Sequence, residues 1–516
     1  MTSNQRVWTE TEKKWQSMLD GDPTYEILPL SELYPTLPDA DAYGACEARF
    51  GHPDFAIWCK LMEVHEMCEM IRDTVVLLHG TLHCSTCIRN FHSHLFGNWG
   101  HGFGHIPTTA IDKRQVVFGG EEELYNAIKA VDRDYRPKLI IILCGCAPSL
   151  VQDDFARVLE RAQPEVGAKL FFYPSAGYED RPIGVIIEKV TQMWVDLMDP
   201  PAKVDPEAVN ILGGNREVYW KHARGAEGPR PYPYPSDVDE LGRIVEGIGL
   251  KVHRVLMASA GDYDYLRTAP EAAVNIISCG TWGFPQAFLM KERLGTQYVY
   301  HELPLGVEAN DRFVRELASL TGKEKEAEEF IKKEHEAIKG VWERCKEMMA
   351  GKTVILGGIG NRAASYLRLC QELGMEVIYI PAYPDMGACL DDQIKAKRVD
   401  WDYFLKTEFN PMILRLRDGL TRDYRLYYLP ALMKKLGLSE DDVIYMYCDF
   451  SAYAGKLEPG NIPYLNSSVH LRKRPGYPSR AVGYRGTEGF CLDMMEAVNV
   501  AKRKADPTLY TRIYSR

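Results

Sequence analysis

The feature that most limits the fold of this chain is a recurring order of apolar strand, short turn and amphipathic helix. "KLIIILCGCAPSLVQDDFARVLERA" predicts a strand at 138–143, a cysteine-bearing turn and then a helix. "AVNILGG" and "GLKVHRVLMAS" read as strands around the helix "SDVDELGRIVEGIG", and "AVNIISCGTWGFPQAFLMKERLGTQYVYHELPLG" repeats the unit. Another begins at "KTVILGGIGNRAASYLRLCQELGMEVIYI", after a charged helical connector from Lys323 to Met349. Parallel strands need a crossover and helices supply it, so the alternation predicts α/β architecture with doubly wound parallel sheets. "GAEGPRPYPYPS" at 225–236 reads as a surface excursion.

Sheets of this kind bind ligands where their strands end, because the loops converge there. The cysteines are placed accordingly. Of 13 in the chain, Cys46, Cys59, Cys68, Cys84, Cys87, Cys144 and Cys146 crowd the first third. Cys84 follows "TVVLLHG", Cys146 follows "KLIIIL", and Cys279 follows "VNIIS". In a reducing compartment such crowding points to metal or redox chemistry. Cys345, Cys370, Cys389, Cys448 and Cys491 lie on ordinary helix or strand patterns and read as core residues. By spacing alone, a zinc site built from Cys84, Cys87, Cys144 and Cys146 and an iron–sulfur site are equally compatible. Residues 78–105 also carry six histidines, among them His83, His92, His94, His101 and His105, which read as surface or interface groups with one or two candidate proton donors.

Several function classes are disfavoured. A formal charge of −10 gives no global basic field for nucleic acid. No apolar run reaches the roughly 18–20 residues of a membrane span, and "MTSNQRVWTETEKKWQ" has no signal-peptide core, so a cytoplasmic chain is expected. "GGIGNRA" fits a dinucleotide fingerprint only loosely, since the first carboxylate after "EVIYI" is Asp385. No G-x-x-x-x-G-K-[ST] loop is present, so ATP-derived energy would enter through a partner.

Four ordered motif matches break the tie between zinc and iron. "CKLMEVHEMCEMIRDTVVLLHGTLHC", "VVFGGEEELYNAI" and "LCGCAPSLVQDDF" place Cys59, then His79 to Cys84, then Val117 to Gly120, then Cys146 before Asp153-Asp154. This order resembles the nitrogenase component 1 superfamily: nitrogenase chains, cofactor-assembly scaffolds, dark-operative tetrapyrrole reductases and methylthio-alkane reductases. Downstream, "GDYDYLRTAPEAAVNIISCGTWGFPQAFLMKERLG" is similar to the segment that carries the cofactor cysteine of catalytic nitrogenase chains. "NIPYLNSSVHLRKRPGYPSRAVGYRGTEGF" is closer to tetrapyrrole-reductase and beta-type chains.

The resemblance implies three Rossmann-like domains, at 1–200, 201–321 and 322–516, with metal clusters at the loops between them. It implies that Cys59, Cys84 and Cys146 ligate a P-cluster-like or 4Fe-4S relay cluster next to a sister subunit. It also implies that Cys279 and His470 hold a nitrogenase-type iron–sulfur cofactor. Expected partners are that sister subunit, in an α2β2 heterotetramer, a homodimeric ATP-dependent iron protein and a small-molecule substrate. The spacing from His470 to "GYRGTEGF" departs from nitrogenase alpha chains through an apparent insertion at "RKRPGYPSR". A cofactor cysteine with an altered late segment points to reductive C–S cleavage of methylthio-alkanes. Nitrogenase, a protochlorophyllide-type reductase subunit and an assembly scaffold are the alternatives, and Cys46, Cys68, Cys87 and Cys144 have no assigned role.

Overall fold

The structure is a computed structural model that describes residues 9–29, 32, 59–68, 71, 73–96, 106–178, 183–213, 236–256, 262–278, 280–299, 304–358, 360–381, 412–416, 425–448, 463–466 and 482–505. Strands and helices alternate as the sequence predicts, and almost every strand pair is parallel. In chain order the strands are β1 (Tyr25–Pro29), β2 (Thr74–His79), β3 (Leu139–Cys144), β4 (Lys169–Tyr173), β5 (Asp205–Leu212), β6 (Lys251–Val255), β7 (Ala272–Ile277), β8 (Gln297–Tyr298), β9 (Thr353–Gly358), β10 (Glu376–Pro381), β11 (Met412–Leu416), β12 (Val443–Cys448) and β13 (Tyr464–Asn466). They form three sheets of order β2-β3-β4, β6-β5-β7-β8 and β1-β11-β10-β9-β12-β13.

The first sheet shows why the sequence folds this way. All six residues of β3, "LIIILC", are buried because helices cover both faces. Side chains alternate across the strand, so Leu139, Ile141 and Leu143 pack with the helices Lys60–Cys68 and Ile183–Asp196. Ile140, Ile142 and Cys144 face the helices Glu121–Tyr135 and Phe155–Ala162. In register, His79 pairs with Cys144 and Leu143 with Tyr173, so the three strands end at one level.

One placement differs from the sequence reading. The range 1–200 assigned β1 to the first unit, yet β1 pairs antiparallel with β11, Tyr25 opposite Leu416 and Pro29 opposite Met412. Its apolar residues Tyr25 and Ile27 are buried with Ile355, Ile378 and Leu414 of the third sheet. The expected connector is one helix, Glu324–Met349. It is tied to the helix Asp237–Gly247 by Arg243, which pairs with Glu240 and Glu334 at 2.7 Å each.

A half-buried carboxyl joins the middle and last sheets. Glu372 ends the helix Gly360–Glu372 and accepts from the backbone N–H of Val307 at 2.7 Å and of Glu308 at 3.2 Å, capping the helix Val307–Thr321. Gly306 precedes that helix at φ 97°, and a side chain there would meet Glu372 Oε1 at 2.5 Å. Burial, helped by the Glu308 charge, pushes the Glu372 carboxyl from its ordinary 4.5 up to about 7, against the pull of the Val307, Glu308 and Ala309 N–H groups. The folded state therefore holds this proton more tightly than the unfolded chain, so stability falls as pH rises through the window from 4.5 to about 7. Glu372→Gln, neutral at every pH, should remove that loss, by on the order of 3 kcal/mol at most above the window and by little below it. Urea unfolding of both proteins across the window checks this, and parallel pH profiles would refute it.

Candidate functional site

Cys59, Cys84 and Cys146 converge at the carboxyl ends of the first sheet. β2 ends at His79, and after Gly80 and Thr81 the helix Leu82–Phe96 carries Cys84 in its first turn. β3 ends at Cys144, and after Gly145 the helix Cys146–Val151 begins with Cys146. Cys59 immediately precedes the helix Lys60–Cys68. Each thiol thus sits at a helix amino terminus.

Glycines let the three segments close. A Cβ on Gly177, in the segment after β4, would lie 3.0 Å from Cys59 Cβ, 3.4 Å from Cys59 Sγ and 3.5 Å from Cys146 Sγ. A Cβ on Gly145 would lie 3.6 Å from Cys84 Sγ and 3.4 Å from Gly80 Cα. Burial raises the Cys59 thiol above its ordinary value; the N–H groups of Met62 and Leu61 lower it, and the neighbouring charges of Cys84 and Cys146 raise it again. All three cysteines are free and only partly buried.

The remaining thiols do not join them. Cys144 lies on the opposite face of β3 and is 2% exposed. Its sulfur accepts the Ser175 N–H at 3.4 Å, and its own N–H donates to Ser175 Oγ at 3.0 Å. Cys87 faces His83, with Sγ 3.3 Å from Nε2. The "C-S-T-C" segment is helix, not the tight turn that zinc modules use. Among the described residues no group of three or more His, Cys, Asp or Glu side chains converges on a single ion position. The four-thiolate zinc arrangement of Cys84, Cys87, Cys144 and Cys146 is therefore not formed. Three thiols at neighbouring helix starts suit a multi-iron cluster better, since there each would ligate a different iron.

A second feature of the motifs became visible only in the fold. His79 Nε2 lies 2.9 Å from Asp153 Oδ2, with side-chain exposures of 0% and 3%. Asp153 also accepts the Gly120 N–H at 3.1 and 3.2 Å, and His79 Nδ1 lies 2.9 Å from Thr109 Oγ1. Burial lowers the imidazole's pKa, outweighing the upward pull of Asp153. A neutral ring then donates from Nε2 to the carboxylate and accepts the Thr109 hydroxyl at Nδ1. One residue from each of the His-Gly, Val-Phe-Gly-Gly and Asp-Asp motifs, His79, Gly120 and Asp153, thereby joins a single buried network.

A family model described as nitrogenase component 1 type oxidoreductase matches residues 59–399, beginning at the first of the three thiols. The chain belongs to this family. It is 24% identical over 319 residues to the nitrogenase iron-molybdenum cofactor biosynthesis protein NifE of Methanococcus maripaludis, covering 60% of this chain and 61% of that one. It is 24% identical over 336 residues to a light-independent protochlorophyllide reductase chain of Rippkaea orientalis, covering 59% and 63%. To the nitrogenase molybdenum-iron protein alpha chain of Clostridium pasteurianum it is 26% identical over 318 residues, covering 59% and 55%. The matched part thus spans less than two thirds of each relative's length. The solved structure "Nitrogenase Cp1 at pH 5" shares the fold, with TM-score 0.62 at 18% identity over 86% of this chain and 89% of that one.

Cys279 and His470, the expected cofactor ligands, lie outside the described residues, as do Cys46, His101 and His105. The residues on either side of Cys279 are described: Ser278 follows β7, and Gly280 starts the helix Gly280–Leu294. In the sheet order β6-β5-β7-β8 the chain leaves β5 in both directions, so the crevice at the ends of β5 and β7 is a topological switch point. Ser278 donates its backbone N–H to Leu212 O at 2.8 Å across that point. No helix among the described residues is long and apolar enough to cross a membrane.

Proposed function

We propose that this chain is the iron–sulfur subunit of a nitrogenase-like reductase that reductively cleaves the C–S bond of methylthio-alkanes. The observation that carries the iron–sulfur part is the meeting of Cys59, Cys84 and Cys146 at three helix amino termini. A P-cluster-like or 4Fe-4S centre bound there would supply one-electron relay chemistry. The protein's part is to present thiolates, to hold their segments against each other through Gly145 and Gly177, and to back them with the buried His79–Asp153 pair. Cys279 and His470 are assigned to a nitrogenase-type cofactor.

The surface around the thiols supports a partner. Leu82, Val117, Phe118 and Leu150 are each more than 60% exposed, and Tyr178 adjoins Gly177. The first four lie on the helices Leu82–Phe96, Lys113–Phe118 and Cys146–Val151, the first and last of which carry Cys84 and Cys146. Exposed large apolar side chains of this kind are what a covering partner would bury. The proposed partners are a sister subunit, in a cytoplasmic α2β2 complex, and a homodimeric ATP-dependent iron protein, consistent with the missing phosphate loop. The three-unit division is kept within this proposal, with β1 moved to the last unit.

The substrate class rests on the pairing of a cofactor cysteine, Cys279, with a late segment unlike that of nitrogenase alpha chains. Two electrons and two protons convert the C–S bond of a methylthio-alkane into C–H and S–H, releasing methanethiol and an alkane. The complex, given its iron protein, ATP and dithionite without oxygen, should release methanethiol from a methylthio-alkane over many turnovers. The substrate assignment fails if no methanethiol forms while the same complex makes ammonia from dinitrogen or consumes protochlorophyllide. Similarity to NifE favours one other reading, an assembly scaffold, which predicts cofactor transfer to another protein and no turnover with any of these substrates.

A further inference from the structure

We propose that Thr81 sets the reduction potential of the centre held by Cys59, Cys84 and Cys146, by donating its hydroxyl proton to Cys84 Sγ. The inference rests on the iron–sulfur reading above and goes beyond the ligands to a residue that tunes them. Thr81 Oγ1 lies 3.6 Å from Cys84 Sγ, and the Cys84 N–H donates to Thr81 O at 3.1 Å, so the two residues face each other across the first helical turn. In the free thiol form either side-chain atom can donate. A ligating thiolate carries no proton, which fixes the direction: Thr81 donates and sulfur accepts.

The consequence follows from charge. Adding an electron makes the cluster and its sulfurs more negative, and a hydrogen bond to a ligating sulfur stabilises that state, raising the potential. The three ligands differ in how this is controlled. Cys59 receives the backbone N–H groups of Leu61 and Met62, which side-chain replacement leaves in place. Among the described residues, Thr81 is the only side chain within hydrogen-bonding distance of any of the three sulfurs. One hydroxyl therefore adjusts the potential without altering the ligand set.

Thr81 is also the residue before the helix Leu82–Phe96, a position where its replacement costs about 1 kcal/mol of helix stability. The test must separate tuning from capping. Wild type, Thr81→Val and Thr81→Ser are purified without oxygen in the assembled complex, iron per chain is measured, and the relay centre is titrated with dithionite while its electron paramagnetic resonance signal is followed. The expected result is equal iron in all three, a more negative midpoint in the Val variant and a wild-type midpoint in the Ser variant. A Val variant with full iron and an unchanged midpoint overturns the role of Thr81 alone. Wild-type protein without iron overturns both this role and the ligand reading. If the Val variant fails to load, Thr81→Ala is titrated in its place against the same two outcomes.

Discussion

Asp153→Ala should destabilise the chain by about 3–5 kcal/mol, a larger loss than a surface carboxylate could cause. The carboxylate lies 2.9 Å from His79 Nε2 and accepts the Gly120 N–H at 3.1 and 3.2 Å. The variant leaves two buried donors without an acceptor, at about 1–3 kcal/mol each, and opens a cavity between the segments that carry them. Asp153→Asn keeps one acceptor oxygen and should lose less. His79→Ala should lose a similar amount, and the double variant should fall well short of the sum, because either change already breaks the network. Urea unfolding of the metal-free proteins measures all four. A loss below about 1 kcal/mol for Asp153→Ala would show that the network is not a structural support.

This network marks the boundary of what the sequence reveals. Cys84 and Cys146 were legible because each follows an apolar strand, and parallel sheets gather the segments beyond their strand ends; Cys59 was reached only through the resemblance carried by "CKLMEVHEMC". The bond between His79 and Asp153 was not legible, because 74 positions separate the two residues and no local pattern links them. Cys144 is an instructive intermediate case. The text "C-G-C" looks like a pair of ligands, but Cys144 is the last residue of β3 and alternates with Ile142 and Ile140 into the opposite core. Strand periodicity alone would have turned it away from Cys146.

The placement of β1 was hidden for a related reason. "YEILP" is short and half-buried, with nothing local to say which sheet edge it joins; its pairing with β11 spans nearly 400 residues. Gly177 left no sequence signal either. Its importance lies in the missing side chain, which only the approach of Cys59 and Cys146 reveals.

Gly177 therefore offers the most selective way to disturb the site. Its would-be Cβ lies 3.0 Å from Cys59 Cβ, and a valine adds two further methyl groups next to both sulfurs. Gly177→Val should push Cys59 out of position and cost most of the relay centre's iron. The sheet should survive, because Gly177 lies beyond the end of β4. Circular dichroism and unfolding midpoints would establish that the variant is folded before its iron is counted.

The most direct test of the central claim is iron, acid-labile sulfide and zinc per chain, measured on wild-type protein, Gly177→Val and the Cys59→Ala/Cys84→Ala/Cys146→Ala variant. Each is co-expressed with its sister chain and purified without oxygen. The account predicts iron and sulfide together in the wild type, at or above the roughly four per chain of one cubane, and a matching loss of both in the two variants. Zinc without sulfide in the wild type, or iron that is unchanged when all three cysteines are replaced, would contradict it.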